Sequence, residues 1–222
     1  LIRTKQEAVI SGKRKKMTVF FSDVVDFTRI SERLTPNELS SQLSEYFSAM
    51  TAVISKHGGT VDKFTGDGIM AMFGAPMALE DHAARACLAA LGVQDEAKRL
   101  AVDVRERDGI DLQLRVGLNS GQVIVGEIGS RGLGYTAIGE QVGMAQRMES
   151  VAPPGGVMLS ASTARLVDDA AALGAAEMVR IKGAAEPVAA QQLLGVGEKH
   201  RAAGRAESTL VGRQWEMVAA EA

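Results

Sequence analysis

The chain has 222 residues, 46% of them hydrophobic, with a formal net charge of −2 at pH 7. That balance supports one sizeable core and excludes bulk electrostatic binding to nucleic acid or anionic lipid. A single cysteine, Cys87, rules out an internal disulfide, and no apolar run reaches membrane-spanning length, so a cytoplasmic setting without direct membrane contact is expected.

With Leu1 in place of an initiating Met, the expectation is a piece of a longer chain. Residues 1–16 are polar and end in Lys13-Arg14-Lys15-Lys16, which reads as a solvated linker in preference to a phosphate or membrane patch. Residues 17–22 follow as a buried strand. Thr35-Pro36 supplies an N-cap and a first-turn proline to a helix whose Leu39, Leu43, Tyr46, Phe47, Met50 and Ile54 share one face. His57-Gly58-Gly59 ends it. Thr60–Phe64 and Ile69–Phe73 flank Thr65-Gly66-Asp67-Gly68, which predicts a β-hairpin with Asp67 in the turn.

A long helix is predicted over 81–108, with Cys87 as a small core residue among its alanines. Strands over 112–118 and 122–128 are predicted to meet at Asn119-Ser120-Gly121 as a second hairpin, followed by a flexible tip at 130–134. A helix over 141–151 stops at Pro153-Pro154-Gly155-Gly156. The pattern then gives a strand at Val157–Ser160, a helix at Ala161–Val167, and strands near 177–181 and 188–194. The domain therefore spans 17–195, with 196–222 a linker or the start of a following domain. Strand, helix, hairpin, helix, strand is an α+β, ferredoxin-like βαββαβ core: an antiparallel sheet with helices on one face, extended by extra strands and helices.

Two aspartates carry the chemistry. Asp23 closes the first strand and Asp67 sits in the hairpin turn. Either alone is a common turn residue. If their strands are neighbours, the carboxylates converge into a hard oxygen site suited to Mg²⁺ or Mn²⁺, and through these to phosphates. The turn at 24–27 adds backbone N–H groups that can face phosphate oxygens ahead of a helix.

Phe20-Phe21-Ser22-Asp23-Val24-Val25-Asp26-Phe27-Thr28, Lys63-Phe64-Thr65-Gly66-Asp67, Val116-Gly117-Leu118-Asn119-Ser120-Gly121 and Gly134-Tyr135-Thr136-Ala137-Ile138-Gly139 resemble, in order, the class III nucleotidyl cyclase catalytic domain. The resemblance implies the nucleotide cyclase fold and a head-to-tail homodimer. It also implies that Asp23 and Asp67 hold two ions while a ribose 3′-hydroxyl attacks the α-phosphorus and pyrophosphate leaves. Lys63 and Thr136 match the residues that read the adenine edge, favouring ATP over GTP. Arg147 matches the arginine that stabilises the transition state, Lys182 the lysine on the triphosphate tail, and Phe27 and Thr28 the substrate-facing end of the first motif.

The pattern breaks at Gly143, where the family usually carries Asn, and at Glu140 and Gln141, where Asp and Thr are more usual. The expectation is an adenylate cyclase of low activity; the alternative is a catalytically silent nucleotide-binding and dimerisation module that regulates a neighbouring domain. A polymerase-palm-like diguanylate cyclase shares the core logic, but its Gly-Gly-(Asp/Glu)-Glu-Phe turn is missing. Ser208-Thr209-Leu210-Val211-Gly212-Arg213 resembles the entry to a P-loop ATPase module, without the phosphate-binding motif itself.

Overall fold

Along Lys13–Val24 (β1) the side chains alternate between two buried environments, Phe20 and Val24 in one, Val19 and Phe21 in the other. A strand apolar on both sides must be covered on both sides, and this one is. The computed structural model describes residues 13–127 and 135–197. After β1 come α1 (Phe27–Ser31), α2 (Pro36–Lys56), β2 (Thr60–Phe64), β3 (Ile69–Phe73), α3 (His82–Asp108), β4 (Leu114–Glu127), β5 (Tyr135–Ile138) and α4 (Glu140–Val151). Then follow β6 (Val157–Ser160), α5 (Ala161–Val167), β7 (Ala171–Leu173), β8 (Glu177–Val179) and β9 (Val188–Val196).

The sheet runs β2-β3-β1-β4-β6-β9-β7, with β5 paired to β4 and β8 to β9. Every pairing is antiparallel except β4 with β6. The fold is the expected α+β class with a mostly antiparallel sheet.

On one face lie α2 and α3. α2 starts where the sequence places it, because Thr35 and Glu38 form a reciprocal capping box and Pro36 occupies the first turn. It buries Tyr46, Met50 and Ile54. α3 turns a small-residue stripe, Ala86, Ala89, Ala90, Val93 and Ala97, into the same core.

On the other face lies α4, which contributes Ala145 to the cluster around Val19, Phe21, Met70 and Met72. The expectation of helices on one face is therefore corrected. Residues on that side of the sheet too regular and apolar to meet water required the second layer.

The second predicted hairpin is also corrected. β4 is one continuous strand, pairing with β1 without interruption from Lys13↔Val125 to Val24↔Leu114. Asn119-Ser120-Gly121 has turn chemistry, but Asn119 and Gly121 meet Gln141 of α4 instead, while Ser120 bonds to Thr18 and Thr163. A Cβ on Gly117 would lie 2.7 Å from Glu149 Cα, and one on Gly121 would lie 2.7 Å from Gln141 Oε1. The strand β1 itself begins at Lys13, so the basic run is ladder-bonded and not linker. The short strand β7 carried no sequence signal. The tip at 130–134 and the tail beyond 197 lie outside the described residues. No described helix is long and apolar enough to cross a membrane.

Candidate active site

Asp23 stands at the end of β1, opposite Arg115 of β4, and its neighbour Ser22 pairs with Ile69, the first residue of β3. The β2–β3 turn, closed by the Thr65 N–H on the Gly68 carbonyl at 2.9 Å, thus delivers Asp67 to the end of β1. Gly68 makes this approach possible, since a Cβ there would lie 3.1 Å from Asp23 Oδ1 and 2.7 Å from Thr65 Oγ1. The two carboxyls come within hydrogen-bonding reach of each other. Burial, then the hydrogen bond and charge of Asp67, then the charge of Glu149, push Asp23 up to about 7, with Arg115 opposing.

Sequence reasoning missed two residues at this point. Glu149 of α4 is buried, and its carboxyl is raised first by burial, with Arg115 lowering it and Asp67 raising it. Arg115 Nε is 3.9 Å from Glu149 Oε1, too far for a hydrogen bond, and that buried nitrogen is otherwise unpartnered. Only strand register could have found Arg115, because it faces Asp23 across the ladder. Tyr46 lies below, its hydroxyl buried beside Ser22 and pushed above its ordinary value by that burial.

These donors suit a divalent cation. A half-buried carboxyl raised by burial and by a neighbouring carboxylate gains most from a positive charge placed between the two. Among the described residues no group of three or more His, Cys, Asp or Glu is poised around a metal. The remaining ligands would be backbone oxygens, water and phosphate, which is the habit of Mg²⁺.

The N-cap of α1, Asp26, adopts a left-handed conformation (φ 54°). Val25 N–H is already committed to the Gln113 carbonyl at 2.9 Å. Any anion-facing donors must therefore come from the turn beyond it, where Phe27 is half-buried and Thr28 exposed.

The other expected site residues form separate groups. Arg147 points along α4 toward Gly143 and the turn after β8; a Cβ at Gly143 would lie 3.9 Å from Arg147 Nη1, and one at Gly183 would lie 3.5 Å from Nη2. Lys182 precedes Gly183 and is exposed. Arg147 and Glu149 are two residues apart on one helix and so point to nearly opposite sides; Glu149 faces the carboxylates, Arg147 does not. Lys63, on edge strand β2, is 48% exposed and ion-paired with Asp62 at 3.3 Å. Thr136 sits on β5 opposite Gly126. β5 nonetheless approaches β2 within 8 Å between Cα atoms, bringing the strand of Thr136 to the strand of Lys63.

Residues 9–193 match the family model described as the adenylate and guanylate cyclase catalytic domain. Adenylate cyclase 1 of Rhizobium meliloti is 37% identical over 152 residues, covering 68% of this chain and 23% of that protein. The chain thus spans about a quarter of the length of this curated relative. Among solved structures, the guanylyl cyclase Cya2 superposes with a TM-score of 0.80 at 36% identity, over 84% of this chain and 95% of the other. The adenylyl cyclase CyaB from P. aeruginosa gives 0.80 at 32%, over 85% and 98%.

Proposed function

The chain belongs to the adenylate and guanylate cyclase catalytic domain family, and from that premise we propose that it converts ATP to 3′,5′-cyclic AMP and pyrophosphate at the interface of a head-to-tail homodimer. The observation that carries the reading is the convergence of Asp23 and Asp67, with Asp23 raised to about 7.

In the reaction the 3′-oxygen bonds to the α-phosphorus as the bond to the β-phosphate breaks, and the hydroxyl proton passes to solvent. Bound Mg²⁺ or Mn²⁺, two per site, supplies charge that acidifies the hydroxyl and neutralises the departing oxygens. Asp23 and Asp67 fix that charge at the strand ends. Arg147 offers a planar pair of donors to the phosphoryl oxygens as charge builds on them. Lys182 holds the far end of the triphosphate, and the turn through Phe27 and Thr28 lies along it. Lys63 donates to adenine N1 while the Thr136 hydroxyl accepts from the exocyclic amine; guanine presents the reverse polarity at both positions. Because Arg147 points away from the carboxylates of its own chain, a second copy is what places both sets on one nucleotide.

Gly143 favours a second reading, a silent nucleotide-binding and dimerisation module, since a missing transition-state donor costs on the order of 10²–10³ in rate. Product chromatography after incubation with Mn²⁺ and either ATP or GTP decides between them. Cyclic AMP as the dominant product supports the proposal. Cyclic GTP-derived product in excess overturns the substrate assignment, and intact nucleotide at high protein concentration favours the silent module.

A further inference from the structure

The guanidinium of Arg147 makes no hydrogen bond or ion pair with any described residue, and it lies beside Gly143 and Gly183, where an added Cβ would stand 3.9 Å and 3.5 Å from it. No polar partner among the described residues sets its position, so the seat of α4 must. That helix is weakly specified by its own sequence. Its N-cap is Gly139, which offers no side-chain cap, and Gly143 stands in its interior, where glycine is unfavourable.

Beside the packing of Val142 and Ala145 on the sheet, the N-terminal half is tied to β4 by Asn119. Its Nδ2 donates to the Gln141 carbonyl at 2.8 Å and to Gln141 Oε1 at 2.9 Å. Because a backbone carbonyl only accepts, the amide orientation is unambiguous. Its Oδ1 then accepts from Ser160 at 2.6 Å and Ser162 at 3.0 Å. Ser160 is itself held in a buried chain through Thr163 at 3.2 Å and Ser120 at 3.0 Å, so Asn119 cannot swing away. Gly121 leaves the space that Gln141 fills, and Gly117 lets the C-terminal half of α4 lie backbone to backbone on β4.

We infer that Asn119 is a positioning residue: clamping Gln141, it sets the rotation and height of α4 on the sheet, and through α4 the place of Arg147. The catalytic consequence rests on the cyclase reading; the clamp itself does not.

Two measurements on wild type, Asn119→Ala and Gln141→Ala test it. Amide hydrogen exchange without nucleotide reads the clamp. Exchange over residues 140–147 should quicken by about tenfold in Asn119→Ala, and less in Gln141→Ala, with residues 36–56 unchanged. Steady-state kinetics with Mn²⁺ and ATP read the consequence. The expected result is kcat down roughly 10–100-fold with KM within about twofold, the signature of a misplaced group that acts only in the transition state. Unchanged exchange in a folded variant overturns the clamp. Faster exchange with unchanged kcat, or a loss expressed wholly in KM, overturns the positioning role. Should Asn119→Ala not fold, Gln141→Ala, which leaves the backbone carbonyl bond open to form, carries the same two readouts. If wild type yields no cyclic nucleotide, the cyclase reading fails while the exchange result still stands for or against the clamp.

Discussion

Asp23 and Asp67, forty-four positions apart in sequence, are brought to one point by the pairing of β1 with β3, where burial and then the hydrogen bond and charge of Asp67 push Asp23 up to about 7. Such a pair adds no stability once both groups ionise, since each carboxylate raises the cost of ionising the other. The arrangement makes sense when a cation replaces the proton.

Cation binding should therefore release a proton from Asp23. Below about pH 7 the cation must displace it, so Mn²⁺ affinity is expected to rise roughly tenfold per pH unit up to that value and then level off. In metal-free protein the sign is opposite. The folded value of about 7 lies above the unfolded 3.8, so the stability this group contributes is complete at acid pH and is lost as pH rises through 7. Thermal melting in chelator should show a lower midpoint at pH 8 than at pH 5.5 attributable to this site, and Asp23→Asn should flatten that difference.

Gly143→Asn should raise kcat by about 10-fold or more, because it restores a transition-state donor of the kind that such sites use. The backbone accepts it, since a Cβ there would meet only Arg147, at 3.9 Å and beyond. Initial rates with Mn²⁺ and ATP check this; an unchanged rate would mean that the vacancy does not limit turnover.

Gly117→Ala should cost at least ~2 kcal/mol, as the added methyl would force α4 off β4. The new Cβ would stand 2.7 Å from Glu149 Cα, and backbone cannot move aside as a flexible side chain can. Urea denaturation followed by circular dichroism measures it, and a loss under ~0.5 kcal/mol would contradict the packing described.

His82 provides a second pH dependence of opposite sense. Its imidazole is held below 6.5 by burial first and then by Lys16, with Asp81 opposing, and its Nδ1 is 2.7 Å from Thr18 Oγ1. A histidine buried neutral contributes stability that is complete above its unfolded value and is lost as pH falls through the folded one. The urea midpoint should drop between pH 7 and pH 5, and His82→Gln should reduce that drop.

The sequence made some of this legible and not the rest, for physical reasons. The β2–β3 hairpin was readable to the residue because Gly66 and Gly68 bracket a turn between two apolar runs, and α2 because Thr35, Pro36 and Glu38 are a local start signal. Asn119-Ser120-Gly121 misled because the same small polar residues suit either a turn or a helix seat, and only the tertiary contact with Gln141 distinguishes them. Asp23 and Asp67 stood out through their motifs. Arg115 and Glu149 did not, since one enters through strand register and the other by helix rotation, neither of which has a local signature.

The most direct test is a Mn²⁺ titration, followed by electron paramagnetic resonance, of wild type, Asp23→Asn and Asp67→Asn in the presence of ATP, with cyclic AMP measured on the same samples. Wild type should bind the ion and form product, and each variant should lose roughly 10²-fold or more in rate together with its ion binding. A variant that keeps both would show that the paired carboxylates are not where the cation and the chemistry reside.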